Sequence, residues 1–280
     1  MWACLKINVT LLLPIAATLL PVMASAQNIR QHGNGEAIAT SADAAERVFD
    51  LPLQGAASQR ILFAASPHAR GTIVMLPGGA GDVGVERDGD IRHDDNFVVR
   101  TRALWERHGY AVLIPDTIDR ANLRGVRSTP AYARLVNDLV DFAHRQVSGP
   151  VFLLGTSQGS IAAMNGAAHT STGSIAGLVL TESVSVMGGS GETVFSADPQ
   201  LVRIPALIVA NRDDRCNVAP PQDAPRIAAS LTASRDVRVL MVSGGTTRSA
   251  KDCGSLTPHG YFGIEEQVVS GISRWMDSHS

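Results

Sequence analysis

Ser157 stands in Gly155-Thr-Ser-Gln-Gly159, between the apolar run Val151–Leu154 and the helical start Ile161-Ala-Ala. A G-x-S-x-G that links a buried strand to a helix presents a nucleophilic hydroxyl. The serine occupies a tight turn, and small residues on either side let strand and helix approach. The N–H that follows, on Gln158, then faces the oxygen on which charge develops, close to a helix N-terminus. The bland reading of the same residues is a tight turn without chemistry.

A serine nucleophile needs a general base, and the base needs an orienting carboxylate. Downstream of Ser157 the histidines are His169, His259 and His279. His169 ends the helix that follows the serine and points away from it; His279 is penultimate in the chain. His259 lies in Ser255-Leu-Thr-Pro-His-Gly-Tyr261, between the last strand and the last helix, where the base belongs. The acid belongs after the strand Ala206–Ala210, where Asn211-Arg-Asp-Asp-Arg-Cys216 offers Asp213 and Asp214. Counting from a turn at Asn211 favours Asp214, and Asp213 is the alternative. Pro77-Gly-Gly-Ala80 can turn a second backbone N–H toward the substrate oxygen, from Gly79 or Ala80; Gly79 is paired here with Gln158.

The glycines Gly79-Ala-Gly-Asp-Val-Gly84 also spell G-x-G-x-x-G after the strand Thr72–Leu76. A dinucleotide site would need a helix to open at this turn. Val85 to Asp95 instead carries charges on every side and no apolar stripe, and Pro77 interrupts the junction. Nucleotide-dependent redox chemistry is therefore the weakest reading.

These residues must be delivered by a regular scaffold. The strand candidates are Arg47–Leu51, Arg60–Ala64, Thr72–Leu76, Ala111–Pro115, Val151–Leu154, Gly177–Leu180, Ala206–Ala210 and Val237–Val242. Most are continuous apolar runs, as in strands buried on both faces. Helices are expected at Phe97–His108, Ala131–Gln146 behind Pro130, Gln158–His169, Pro221–Leu231 and Gly263–Met276. The alternation predicts an α/β fold, a mostly parallel sheet of about eight strands with helices on both faces. Glu182–Arg203 is too short for a helical cap domain, so a lid there is a loop at most. The long polar stretch Gly81–Asn96 is the other segment expected to roof the site.

Met1–Ala26 is a different kind of sequence. It carries one charge, Lys6, then an apolar run from Ile7 to Val22 that ends in Ala24-Ser-Ala26. That is the pattern of a cleavable secretory signal, with a transmembrane anchor as the competing reading. The expected organisation is a signal at 1–26 and one domain at 27–280, periplasmic or secreted, with no stable membrane anchor after cleavage. Cys216 and Cys253 then remain, a candidate disulfide in an oxidising compartment. With 18% charged residues and a formal charge of -2, the chain offers no electrostatic case for a nucleic-acid partner.

Taken in order, Leu-Pro-Gly-Gly, Gly-Thr-Ser-Gln-Gly, Asp-Asp-x-Cys-x-Val-x-Pro and Cys-Gly-x-Leu-Thr-Pro-His-Gly-Tyr resemble the α/β-hydrolase superfamily over nearly all of the mature chain. The paired cysteines are similar to those of exported bacterial hydrolases. The resemblance implies a Ser157–Asp214–His259 triad, a small-molecule substrate, no metal and no cofactor. Pro77 departs from the His that many esterases carry there, which leaves the backbone donor intact. A carboxylesterase is the leading expectation. A peptidase, amidase or lactonase would share the triad, and a binding protein on the same scaffold would need a broken triad position.

Overall fold

The computed structural model describes residues 45–53, 57–171 and 173–280, so the expected signal at 1–26 lies outside the described residues. Eight strands form one sheet in the order β1-β2-β4-β3-β5-β6-β7-β8. They are β1 (Ala45–Pro52), β2 (Ser58–Ala65), β3 (Thr72–Leu76), β4 (Ala111–Pro115), β5 (Val151–Thr156), β6 (Gly177–Thr181), β7 (Ala206–Asn211) and β8 (Val237–Val242). β1 and β2 pair antiparallel, and β2 runs antiparallel to β4; every pairing from β4 through β3 to β8 is parallel. The central strands β3 to β7 are buried along their whole length, which explains why they read as unbroken apolar runs.

Successive side chains leave opposite faces of the sheet and build two cores. On one face Val74, Leu113 and Leu153 pack against α3 (Pro130–Gln146), α4 (Gln158–His169) and α5 (Ala224–Ser230) through Val136, Leu139, Met164 and Ile227. On the other, Ile73, Val112 and Phe152 pack against α1 (Phe97–Arg100), α2 (Arg102–Arg107) and α6 (Glu265–Asp277) through Phe97, Trp105, Ile272 and Trp275. Among the described residues no helix is long and apolar enough to cross a membrane.

Three helices differ from expectation. The single helix expected at Phe97–His108 is broken at Thr101, whose hydroxyl donates to the Phe97 carbonyl at 2.6 Å and accepts the Trp105 indole N–H at 3.0 Å. Pro221–Leu231 opens as a 3₁₀ turn over Pro221–Asp223 before α5 begins. α6 starts at Glu265 because Gly263 has a φ of 92°, outside helical space. The expected roof, Gly81–Asn96, is tied down near its start. Val83, Gly84 and Val85 donate their N–H groups to the Asp116 carboxylate after β4, and Arg60 of β2 donates to the Val85 carbonyl. Residues 83–85 are therefore tied to the ends of β4 and β2, and at the far end of the stretch Asn96 comes near Gly78, beside the serine.

Candidate active site

Ser157, His259, Asp214, Gly79 and Gln158 lie at the carboxyl ends of the parallel strands, whereas His169 and His279 pair with Asp198 and Asp236 instead. Ser157 sits between β5 and α4 with φ 52° and ψ -122°, a strained left-handed backbone for a residue with a Cβ. The turn closes because Ser157 N–H donates to the Thr181 carbonyl at 2.9 Å while the Ser160 hydroxyl donates to the Ser157 carbonyl at 2.6 Å. The flanking glycines are required by contact. A Cβ at Gly159 would lie 2.0 Å from the Leu76 carbonyl oxygen of β3, and one at Gly155 would lie 2.2 Å from the Gly159 oxygen.

His259 lies in a 3₁₀ turn, Pro258–Gly260, capped by the Thr257 hydroxyl, which accepts the His259 N–H at 3.1 Å. Its Nε2 is 2.9 Å from Ser157 Oγ, and its Nδ1 is 2.7 Å from Asp214 Oδ2. The His259 and Asp214 side chains are 4% and 0% exposed, so water does not compete for this bond. Asp214 holds its angle by accepting the Cys216 N–H on Oδ1 at 2.8 Å. Asp213 turns outward and accepts the Gly244 N–H at 2.7 Å. The turn at Asn211 thus delivers Asp214, and not Asp213, to the histidine.

On the other side of Ser157, Gly78 packs so closely that a Cβ there would be 3.1 Å from Ser157 Cβ. Arg127, buried to 1% exposure, fixes this loop by donating to the Pro77 carbonyl at 3.2 Å, and its burial pushes the guanidinium down from its usual value. The N–H groups of Gly79, Ala80 and Gln158 meet no acceptor among the described residues. Unpaired amides beside a nucleophile are what a developing oxyanion needs.

Three acids escaped the sequence reading. Asp116 anchors the loop after β3. Glu192, in the segment after β6, accepts the N–H groups of Gly125 and Ser128 at 2.9 Å each and the Ser128 hydroxyl at 3.0 Å. Two residues before it, Ser190 Oγ accepts from the Gln158 side chain at 3.2 Å, so this segment forms the wall of the site at α4. The third, Glu182, is buried beside Asp214, where burial and then the Asp214 charge push its carboxyl well above the usual carboxylate range. An acid directly ending an apolar strand, on the edge where sites form in parallel sheets, was the available signal. Beyond Asp214 a polar cavity of about 480 Å³ opens, lined by Arg212, Asp213, Arg215, Thr247 and Asp252; Ser157 is not part of its lining.

Cys216 and Cys253 form a disulfide with a Cα–Cα distance of 4.6 Å across 37 residues. It ties the acid loop to the histidine loop, and the Cys216 N–H itself donates to Asp214. Closing a loop of this length is expected to stabilise the fold by roughly 3–4 kcal/mol in the chain-entropy model. A Cys216→Ala/Cys253→Ala variant should therefore melt earlier, and protein lacking residues 1–26, and with them Cys4, should show no reactive thiol when denatured without reductant. Thiol titration and thermal denaturation check both points.

No family model matches the chain, and no curated protein matches it in sequence. Solved structures do. The chain is similar to a dienelactone hydrolase from Anabaena variabilis, at 16% identity and a TM-score of 0.59 over 85% of this chain and 99% of that one. An esterase from Pyrococcus furiosus superposes with a TM-score of 0.60 at 10% identity, over 84% of this chain and 93% of that one. A proline iminopeptidase from Mycobacterium smegmatis gives 0.54 at 13% identity, over 84% and 98%. At these identities the likeness establishes the fold, which is that of the α/β-hydrolases.

Proposed function

We propose that this chain is an exported serine hydrolase of the carboxylesterase type. One observation carries the reading: an unbroken line from Ser157 Oγ through His259 to Asp214, with bonds of 2.9 and 2.7 Å, beside backbone N–H groups that have no other partner among the described residues. Asp214 keeps the imidazole proton on Nδ1, so Nε2 is bare and accepts from the serine hydroxyl. Ser157 attacks the ester carbonyl as Nε2 takes its proton. The N–H groups of Gly79 and Gln158 receive the charge on the tetrahedral oxygen. His259 then passes its proton to the departing alkoxide, which leaves as an alcohol, and water repeats the two steps on the acyl-enzyme.

The ester assignment is supported by the wall after β6, where Val186 and Met187 are exposed apolar residues on the segment that reaches Gln158. Such a rim suits an uncharged acyl or alkyl group. The structural neighbours include an esterase, a dienelactone hydrolase and a peptidase, all compatible with acyl transfer. Export belongs to the same proposal, supported by the Met1–Ala26 pattern and by the disulfide.

A fluorophosphonate probe tests the reading. It should modify mature protein once, on the peptide that contains Ser157, and Ser157→Ala should remain unlabelled. p-Nitrophenyl esters of short acids should be turned over much faster than the matching anilides. Labelling elsewhere would overturn the nucleophile assignment, and equal or faster anilide cleavage would overturn the ester assignment.

A further inference from the structure

The carboxyl end of β6 carries an acid that the hydrolytic cycle leaves unused. Glu182 follows Thr181 directly, is 1% exposed and has a left-handed φ of 42°. Its Oε1 accepts the Asn211 N–H at 2.8 Å. Its Oε2 is buried too, and no donor meets it among the described residues. A second acid stands beside this carboxyl: an oxygen of Glu182, an oxygen of Asp214 and a ring nitrogen of His259 all lie within 4.8 Å of one another. The other titratable group packed here, Tyr261, lies within reach of Glu182, but its hydroxyl proton goes to the Val209 carbonyl at 3.0 Å. Arg212, Asp213 and Arg215 adjoin Asp214 in the chain but line the cavity on its outer side.

Asp214 already holds the ring of His259 on Oδ2 and the Cys216 N–H on Oδ1. Two ionised carboxylates at this distance, both out of water, would repel strongly. A single proton shared between them removes the conflict and satisfies the orphaned oxygen at once. We propose that Glu182 is a positioning residue held as a neutral carboxylic acid, which donates its proton to Asp214 and leaves Asp214 as the one negative charge behind His259. The inference rests on the triad reading for its consequence in turnover, but the protonation state of Glu182 stands apart from it.

Bonds of this kind are short and strong, because the acceptor is ionised. Glu182 thereby fixes the second lone pair direction of Asp214, much as Cys216 fixes the first. Burial and the Asp214 charge raise the Glu182 carboxyl well above the usual range, consistent with a neutral acid. A group whose folded value is raised contributes its full stability below the unfolded value, near 4.5, and loses it as pH rises through the folded value. Glu182→Gln removes that titration yet keeps both bonds, because the amide N–H₂ donates to Asp214 and the amide oxygen accepts from Asn211.

Three readouts test the proposal. In infrared difference spectra of wild type minus Glu182→Gln at pH 7, a protonated-carboxyl C=O band should be present. The melting temperature of Glu182→Gln should gain on wild type steadily as pH rises from about 5 to 8. Glu182→Gln should keep wild-type kcat/KM within a few fold. Glu182→Leu, which cannot donate, should lose on the order of tenfold in kcat with little change in KM, the worth of one charge-assisted hydrogen bond. The acid limb of its pH profile should also move upward, which a loss of packing alone would not produce. Absence of the infrared band overturns the proposal, whether because both acids are ionised or because a cation bridges them; a melting difference independent of pH overturns it equally. If the band is present but Ser157 fails to label, the hydrolase reading falls and the neutral Glu182 stands. If Ser157 labels and the band is missing, only the Glu182 inference falls.

Discussion

Replacing Ser157 by Ala is expected to lower ester turnover by about 10⁶-fold, and replacing His259 by Ala should cost nearly as much. The double variant should be no worse than either. The reason is geometric. His259 Nε2 is 2.9 Å from Ser157 Oγ, and neither group has another route to the carbonyl carbon. Once one is gone the other has nothing to act on, so the losses overlap instead of adding. Residual rate should come from the Gly79 and Gln158 N–H groups, which in the proposed cycle would still polarise a bound carbonyl for attack by water. Steady-state kinetics on a p-nitrophenyl ester, with melting curves to show that each variant is folded, decide the matter. Additive losses would mean that serine and histidine act in separate steps, against a cycle in which Nε2 takes the serine proton during attack.

The fold was legible because burial leaves a plain trace in parallel strands. β3, β4 and β7 are covered on both faces, so Thr72–Leu76, Ala111–Pro115 and Ala206–Ala210 carried no polar alternation to confuse the reading. The break at Thr101 was not legible. It depends on a hydroxyl that serves the Phe97 carbonyl and the Trp105 indole together, and a threonine inside a helical pattern carries no mark of that. The course of Gly81–Asn96 was hidden for a related reason. Its anchor, Asp116, lies after a different strand, some thirty residues further along, and polar loop composition says nothing about which carboxylate will collect its amides.

The candidate site divides in the same way. Ser157 and His259 were singled out by their place at strand ends, a rule that belongs to the topology and survives low sequence identity. Cys216 and Cys253 were paired by counting, and the bridge is present. Glu182 was visible as an acid at a strand end, but its conflict with Asp214 needed three dimensions. A glutamate after Thr181 is equally at home in water until β7 brings Asn211 and Asp214 against it, and only then does its carboxyl become a problem of buried charge.

Asp214→Asn is expected to cut turnover by about 10⁴-fold, whereas Asp213→Asn should cost a few fold at most. The two aspartates are adjacent and of the same type, so any difference between them must come from where the turn at Asn211 sends each side chain. Asp213 N–H is held by the Asn211 side chain at 3.1 Å, and its carboxylate points out to the Gly244 N–H. Asp214 lies one residue further round, with its side chain buried against His259 Nδ1. An amide at Asp214 would present either its oxygen or its N–H₂ to that nitrogen. If the N–H₂ faces the ring, His259 must carry its proton on Nε2, where it can no longer accept from Ser157. If the oxygen faces the ring, the tautomer survives but the negative charge that stabilises the imidazolium is lost. Both outcomes act on kcat more than on KM, because neither touches the surface on which substrate rests. The folds of both variants should remain intact, since the bridge and the Cys216 N–H stay in place. A larger loss in Asp213→Asn than in Asp214→Asn would place the orienting charge one residue earlier, and the hydrogen bond at 2.7 Å would not be the one that matters.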